Sequence, residues 1–243
     1  MVKVKDIAKM IDHSLLRPEL TVAEVKEGCE VAKRYDAASV CVKPADVALA
    51  AKVLEGTDVM TTTVAGFPHG SSTTEVKVFE TKQAIADGAV EIDMVLNYGR
   101  LKSGELAYVE QDIKAVVDAA HEHDVAVKVI FENCFLTPEE IKEACVICER
   151  VGADFVKTST GFGTGGATIP DLILMRESCS PKVEVKAAGG VRTLDNALAV
   201  RSVGVTRFGA TATAAILDEA AKREAEGTLV DIEKGTGTLG TKY

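Results

Sequence analysis

The chain lacks a surplus of positive charge, a long apolar run and a clustered set of histidines, and each absence removes a class of function. Aspartate and glutamate total 37 against 28 lysines and arginines, a formal net charge of −9. General nucleic-acid binding rests on a basic surface, so no nucleic-acid partner is expected, although a local basic pocket for a small phosphate is compatible with this balance. No run approaches the ~20 apolar residues that cross a bilayer. The N-terminal residues MVKVKDIAKMIDH contain no signal-peptide core. No membrane partner is therefore expected, and a cytoplasmic location is.

Disulfides are not expected either. The six cysteines, Cys29, Cys41, Cys134, Cys145, Cys148 and Cys179, are scattered, and a chain this long has no need of a disulfide framework. Cys145-x-x-Cys148 falls in PEEIKEACVICERVG, a strongly helical stretch with no second pair to complete a zinc site, and reads as helix packing. His121 and His123 sit two apart on a predicted helix, so their side chains diverge, and His13 and His69 have no second ligand. No metal site and no cofactor are expected.

What is present is a repeating pattern. With 47% hydrophobic and 27% charged residues in a chain of 243, one large α/β core is within reach. Short apolar runs at Ile11–Leu16, Ala38–Val42, Val59–Ala65, Val90–Leu96, Val125–Phe131, Ala153–Thr158, Val183–Ala187 and Val205–Gly209 alternate with helical stretches. Thr21-Val-Ala-Glu24 has capping-box spacing, and Thr137 followed by Pro-Glu-Glu opens another helix. Eight strand–helix units with no linker between them predict a closed (β/α)8 TIM barrel. A doubly wound sheet would want a glycine fingerprint after its first strand, where IDHSLLRP stands instead. The prediction is a single barrel domain over residues 1–243, with a short N-terminal helix at about 2–10 and a flexible, glycine-rich tail at about 227–243.

Polar residues interrupt the apolar runs at telling places. Side chains alternate along a strand, so Glu91 shares a face with Asp93, Lys128 with Ile130 and Glu132, and Glu184 with Lys186. Facing inward, they would fill the barrel with lysines and carboxylates, which is costly unless they pair. A buried ion network without chemistry is one reading of Glu91, Lys128 and Glu184. Lys157 and Lys186 are different: each ends a strand and precedes a glycine-rich loop suited to an anion. Two adjacent lysines depress each other's proton affinity, and a neutral amine attacks carbonyls. Spacing does not say which lysine would react.

At these residues the sequence resembles a known family. DFVKTSTGF, VKAAGGVRT, VEIDMVLNYG, VCVKP and RFGAT, on five separate strands and in the expected order, are similar to deoxyribose-phosphate aldolase, a metal-independent class I aldolase on a (β/α)8 barrel. The resemblance implies reversible cleavage of 2-deoxy-D-ribose 5-phosphate to acetaldehyde and D-glyceraldehyde 3-phosphate. It makes Lys157 the Schiff-base nucleophile, Lys186 the neighbour that lowers its pKa, and Asp93 the acid/base partner. Gly161, Gly189, Gly190, Gly209 and Thr211 would bind the phosphate, with Arg192 and Arg207 as electrostatic helpers.

Asp12 in IDHSLL would bind substrate hydroxyls or support the lysines, and Cys41 would lie near the site. Relatives with two serines in the last loop contrast with Thr211 and Ala212 here, and Phe162 replaces a basic residue found in some of them. The terminal Tyr243 would fold back over the barrel mouth to relay a proton. A homodimer or homotetramer is expected. The alternatives are a Schiff-base barrel acting on a keto acid or ketose phosphate, and a phosphate-binding barrel without catalysis.

Overall fold

Each of the apolar runs becomes a strand of one closed sheet. The computed structural model describes residues 2–240. Among them the strands are β1 (Ile11–Leu15), β2 (Ser39–Val42), β3 (Met60–Ala65), β4 (Glu91–Val95), β5 (Ala126–Ile130), β6 (Phe155–Lys157), β7 (Glu184–Ala188) and β8 (Arg207–Ala210). Neighbours in sequence pair in parallel, and β8 pairs with β1 to close the barrel.

The helices are α1 (Val4–Ala8), α2 (Val22–Arg34), α3 (Val47–Leu54), α4 (Thr74–Ala86), α5 (Tyr98–Lys102), α6 (Leu106–His121), α7 (Pro138–Val151), α8 (Ile169–Ser178), α9 (Leu194–Ser202) and α10 (Thr213–Ala225). The capping residues read from the sequence start their helices. Thr21 accepts from Glu24 N while Glu24 returns to Thr21 N, and Thr137 and Glu140 do the same ahead of Pro138. Each such cap satisfies otherwise orphaned N–H groups and stabilises by about 1 kcal/mol. Helix α5, a five-residue turn before α6, has no counterpart in the sequence reading. It is capped by the Asn97 side chain.

Period two decides which residues meet the helices. Val40, Val42, Ile92, Met94, Val127, Val129, Val156, Val185, Ala187 and Phe208 are buried in the layer between sheet and helices. The alternate residues turn inward, and many of them are charged. A (β/α)8 barrel usually fills its interior with branched apolar side chains, so this interior is committed to something other than packing.

A buried ion pair lies outside the barrel, between α4 and α6. Lys77 Nζ donates to Asp112 Oδ2 at 2.5 Å, and Thr74 Oγ1 donates to Asp112 Oδ1 at 2.8 Å.

The expected N-terminal helix is α1, shorter than predicted, and Met10 after it accepts from Phe208 N at the entry to the barrel. The segment expected to be flexible has no helix or strand between residues 228 and 240. It nevertheless lies along α8 and α9: Leu229 is buried, Ile232 and Leu239 pack against the core, and Asn196 Nδ2 donates to Thr238 O at 2.7 Å. Tyr243 lies outside the described residues. No helix among those described is long and apolar enough to cross a membrane.

Candidate active site

Strand register brings seven ionisable groups together inside the barrel. Asp93 on β4 lies opposite Lys128 on β5, and Lys157 on β6 lies opposite Lys186 on β7, which in turn lies opposite Arg207 on β8. Asp93 is the hub. Its Oδ2 accepts from Lys157 Nζ at 2.7 Å and from Lys186 Nζ at 2.7 Å, and its Oδ1 accepts from Lys128 Nζ at 3.0 Å. Lys128 also donates to Glu91 Oε2 at 2.5 Å. Arg207 bridges Asp12 Oδ1 at 2.7 Å and both oxygens of Glu91 at 3.2 Å. Asp12 Oδ2 pairs with Lys186. The ring of Phe155 lies beneath two of the cations, 5.5 Å from Lys128 Nζ and 5.6 Å from the Arg207 guanidinium.

Four cations thus face three carboxylates in a space closed to water on most sides, and the surplus positive charge falls unevenly. Burial lowers the proton affinity of Lys157; Asp93 opposes that, and the Lys186 ammonium adds to it, so the amine sits below the ordinary lysine value. Lys186 goes the other way. Burial would lower it, but Asp12 and Asp93 together hold it charged. Burial would also raise Asp93, yet Lys128, Lys157 and Lys186 keep it well below the usual carboxylate range. Mutual depression of the two lysines, expected from sequence, is therefore replaced by a division: the carboxylates favour Lys186, and Lys157 is the amine more readily neutral.

Lys157 and Lys186 open onto a cavity of about 310 Å³ at the C-terminal ends of the strands. Its wall includes Asp12, Cys41, Gly161, Gly189, Gly209 and Thr211. The loop after β8 leads directly into the N-terminus of α10, whose first turn carries no acidic residue. A helix start beside glycine loops favours an anion. A buried amine of lowered proton affinity next to one held charged, facing an anion-binding mouth, is equipped to form an imine with a phosphorylated carbonyl compound.

The DeoC/LacD family aldolase model matches residues 6–217. The chain belongs to that aldolase family. A deoxyribose-phosphate aldolase of Clostridium perfringens is 55% identical over 214 residues, covering 88% of this chain and 95% of the relative. One from Exiguobacterium sibiricum is 55% identical over 213 residues, covering 87% and 96%. Among solved structures, a tetrameric deoxyribose phosphate aldolase from Aeropyrum pernix superposes with a TM-score of 0.83 at 28% identity, covering 94% of each chain.

The other residues of this DeoC/LacD barrel singled out from sequence take different places around the site. Cys41 lines the cavity as expected and is buried; burial with Asp93 nearby pushes its thiol up to about 12, so it stays protonated. Gly190 does not line the cavity; its carbonyl accepts from Gly240 N at 3.1 Å, which ties down the C-terminal segment. Glu184 is half-buried at the start of β7, and the interior ion pairs do not include it. Arg207 points into the barrel, whereas Arg192 stands at the cavity wall. Phe162 also lines the cavity and packs edge-on against Phe67, with ring centroids 5.4 Å apart. His13 lies 2.8 Å from Thr213 Oγ1, and His121 lies 2.9 Å from Asp154, each a satisfied polar histidine.

Other contributors were not singled out from sequence. Ser14 and Arg17 line the cavity. Ser39 Oγ donates to Asp12 at 2.7 Å, and Thr62 Oγ1 donates to Glu91 at 3.0 Å. Both hydroxyls sit on inward strand positions, so period two, applied to small polar residues as well as charged ones, would have found them. Glu132 is the largest departure. Strand β5 ends at Ile130, and Glu132 takes a left-handed backbone with φ 58°, which turns it away from the face it was expected to share with Lys128.

Proposed function

We propose that the chain is a deoxyribose-phosphate aldolase, cleaving 2-deoxy-D-ribose 5-phosphate reversibly to acetaldehyde and D-glyceraldehyde 3-phosphate in deoxyribonucleoside catabolism. The observation that carries this reading is the single carboxylate, Asp93, shared at 2.7 Å by Lys157 and Lys186 at the floor of the cavity. Neutral Lys157 adds to the sugar's aldehyde carbon, and loss of water leaves a protonated imine. That imine draws the electrons of the bond between sugar carbons 2 and 3 as the carbon-3 hydroxyl gives up its proton. Glyceraldehyde 3-phosphate leaves, and the enamine is protonated and hydrolysed to acetaldehyde and free Lys157.

Asp93 receives the hydroxyl proton, directly or through one water. Its proton affinity is low at rest because three ammonium groups surround it. Cleavage converts the cationic imine into a neutral enamine, so Asp93 loses one of those positive neighbours as the proton arrives, and its basicity rises in step. Lys186, held charged by Asp12 and Asp93, lowers the proton affinity of Lys157 and is the proton source within reach of the enamine. In this reading the phosphate binds at the loops of Gly161, Gly189, Gly209 and Thr211, beside Arg17 and Arg192, all of which line the cavity. Asp12 acts as the counter-ion of Lys186 and Arg207 in this reading. Self-association as a homodimer or homotetramer has a parallel in the tetrameric Aeropyrum relative.

The test is direct. Incubated with 2-deoxyribose 5-phosphate, the protein is expected to release acetaldehyde and glyceraldehyde 3-phosphate in equal amounts. In reverse, acetaldehyde is expected to serve as donor. Condensation with pyruvate or dihydroxyacetone phosphate in its place would contradict the reading.

A further inference from the structure

We propose that Glu132 is a positioning residue, whose buried carboxylate shapes the loop Thr160–Gly163 into the wall that receives the phosphate end of the substrate. This rests on the aldolase reading and deepens it. Among the described residues, three other than glycine have a positive φ: Asp36 at 48°, Asp124 at 57° and Glu132 at 58°. Asp36 and Asp124 follow the ends of α2 and α6, where a short aspartate tolerates the left-handed region. Glu132 follows a strand and carries a longer side chain, so surrounding contacts must hold it there.

Those contacts run to the strand and loop that carry the site. On either side of Glu132 the backbone is fastened to β6 and its extension: Phe131 N donates to Lys157 O at 3.0 Å, and Asn133 N donates to Thr158 O at 2.9 Å. The side chain is buried; burial raises its proton affinity, and the Thr160 hydrogen bonds and the nearby Lys157 charge oppose that. Its Oε1 accepts from Thr160 N at 3.2 Å, and its Oε2 accepts from the Thr160 hydroxyl. That hydroxyl accepts in turn from Phe162 N at 3.0 Å. One carboxylate therefore fixes Thr160 directly and Phe162 through Thr160, and both line the cavity together with Gly161 between them.

The loop needs such an anchor. Residues 160–166 read TGFGTGG, a run in which glycine supplies little conformational restriction of its own. Gly163 completes the fit: a Cβ at that position would stand 2.8 Å from Glu132 Cδ and 3.1 Å from Cys134 Sγ. The chain can close over the carboxylate only because position 163 has no side chain. Glu132 does not line the cavity, so its effect passes through the loop.

The experiment compares wild type, Glu132→Ala and Glu132→Gln on 2-deoxyribose 5-phosphate and on unphosphorylated 2-deoxyribose. Borohydride trapping of acetaldehyde counts competent Lys157 in each preparation. Glu132→Ala is expected to raise KM for the phosphorylated sugar about 10-fold or more, with a much smaller change for deoxyribose. The preference for phosphate then falls by a similar factor while the trapped fraction stays near wild type. Glu132→Gln keeps an acceptor for Thr160 N and is expected to recover most of the loss. Thr160→Val removes the hydroxyl relay alone and is expected to shift the preference the same way, which serves if Glu132→Ala does not fold. Equal losses on both sugars, or an unchanged preference in all three variants of an active enzyme, would overturn the proposal and leave the aldolase reading standing. A wild type inactive on the phosphorylated sugar would overturn both.

Discussion

Lys77 and Lys157 share an aspartate bond and the same direction of pKa shift, yet only one of them is built for chemistry. Lys77 lies between α4 and α6, and burial lowers its proton affinity while Asp112 opposes. Lys157 lies inside the barrel, and the same description fits it with Asp93 in place of Asp112. The difference is in what surrounds each pair. Asp112 serves one ammonium and one hydroxyl, from Lys77 and Thr74, and the backbone at Gly66 sits on the Lys77 stem, so that a Cβ there would come within 2.8 Å of Lys77 Cε. Asp93 serves three ammonium groups, and the lysine it shares opens on a cavity. A perturbed lysine marks a functional site where a contested carboxylate meets space for a substrate; burial by itself marks only a lysine that must be paired.

Removing each lysine in turn sharpens that contrast. Lys77→Met strands a buried carboxylate, and breaking such a pair costs about 3–5 kcal/mol. Urea unfolding is expected to show that loss, with kcat per folded molecule unchanged. Replacing both partners, as Lys77→Met with Asp112→Leu, is expected to restore most of the stability. A large fall in kcat for folded Lys77→Met would erase the distinction between the two sites.

Lys186→Met is expected to act on rate and pH dependence. The reactive form of Lys157 is the neutral amine, so adduct formation rises with pH through the pKa of Lys157. Taking away the Lys186 charge removes a repulsion and leaves Asp93 more available to the Lys157 ammonium. Both effects raise the pKa, so the inflection moves to higher pH. At neutral pH the rate is expected to fall roughly 100-fold, within the range of a lost acid–base partner. An inflection that stays in place or moves down would mean that Lys186 does not govern the protonation of Lys157.

The alternation of side chains along a strand made much of this readable from sequence. Asp93 and Glu91 fall two apart on β4, and Lys128, Lys157 and Lys186 fall on inward positions of three successive strands. The barrel follows from eight apolar runs separated by capped helices, and most strand ends lie within a residue or two of the predicted ones. What escaped depends on contacts that sequence spacing does not carry. The unequal fate of the two lysines comes from Asp12, which reaches Lys186 across the closure between β8 and β1. Glu132 was assigned by strand parity, and parity ends where the strand does. Lys77 and Asp112 sit 35 residues apart on two helices, and nothing in either helical pattern says that they meet. Tyr243 was legible only through resemblance, and it lies outside the described residues.

The most direct test of the central claim is borohydride reduction in the presence of acetaldehyde, followed by peptide mass mapping. A stable two-carbon adduct on Lys157, with Lys77 and Lys186 unmodified, is the predicted result. An adduct on Lys186 in place of Lys157, or none on either in folded protein, would contradict the division of charge on which the mechanism rests.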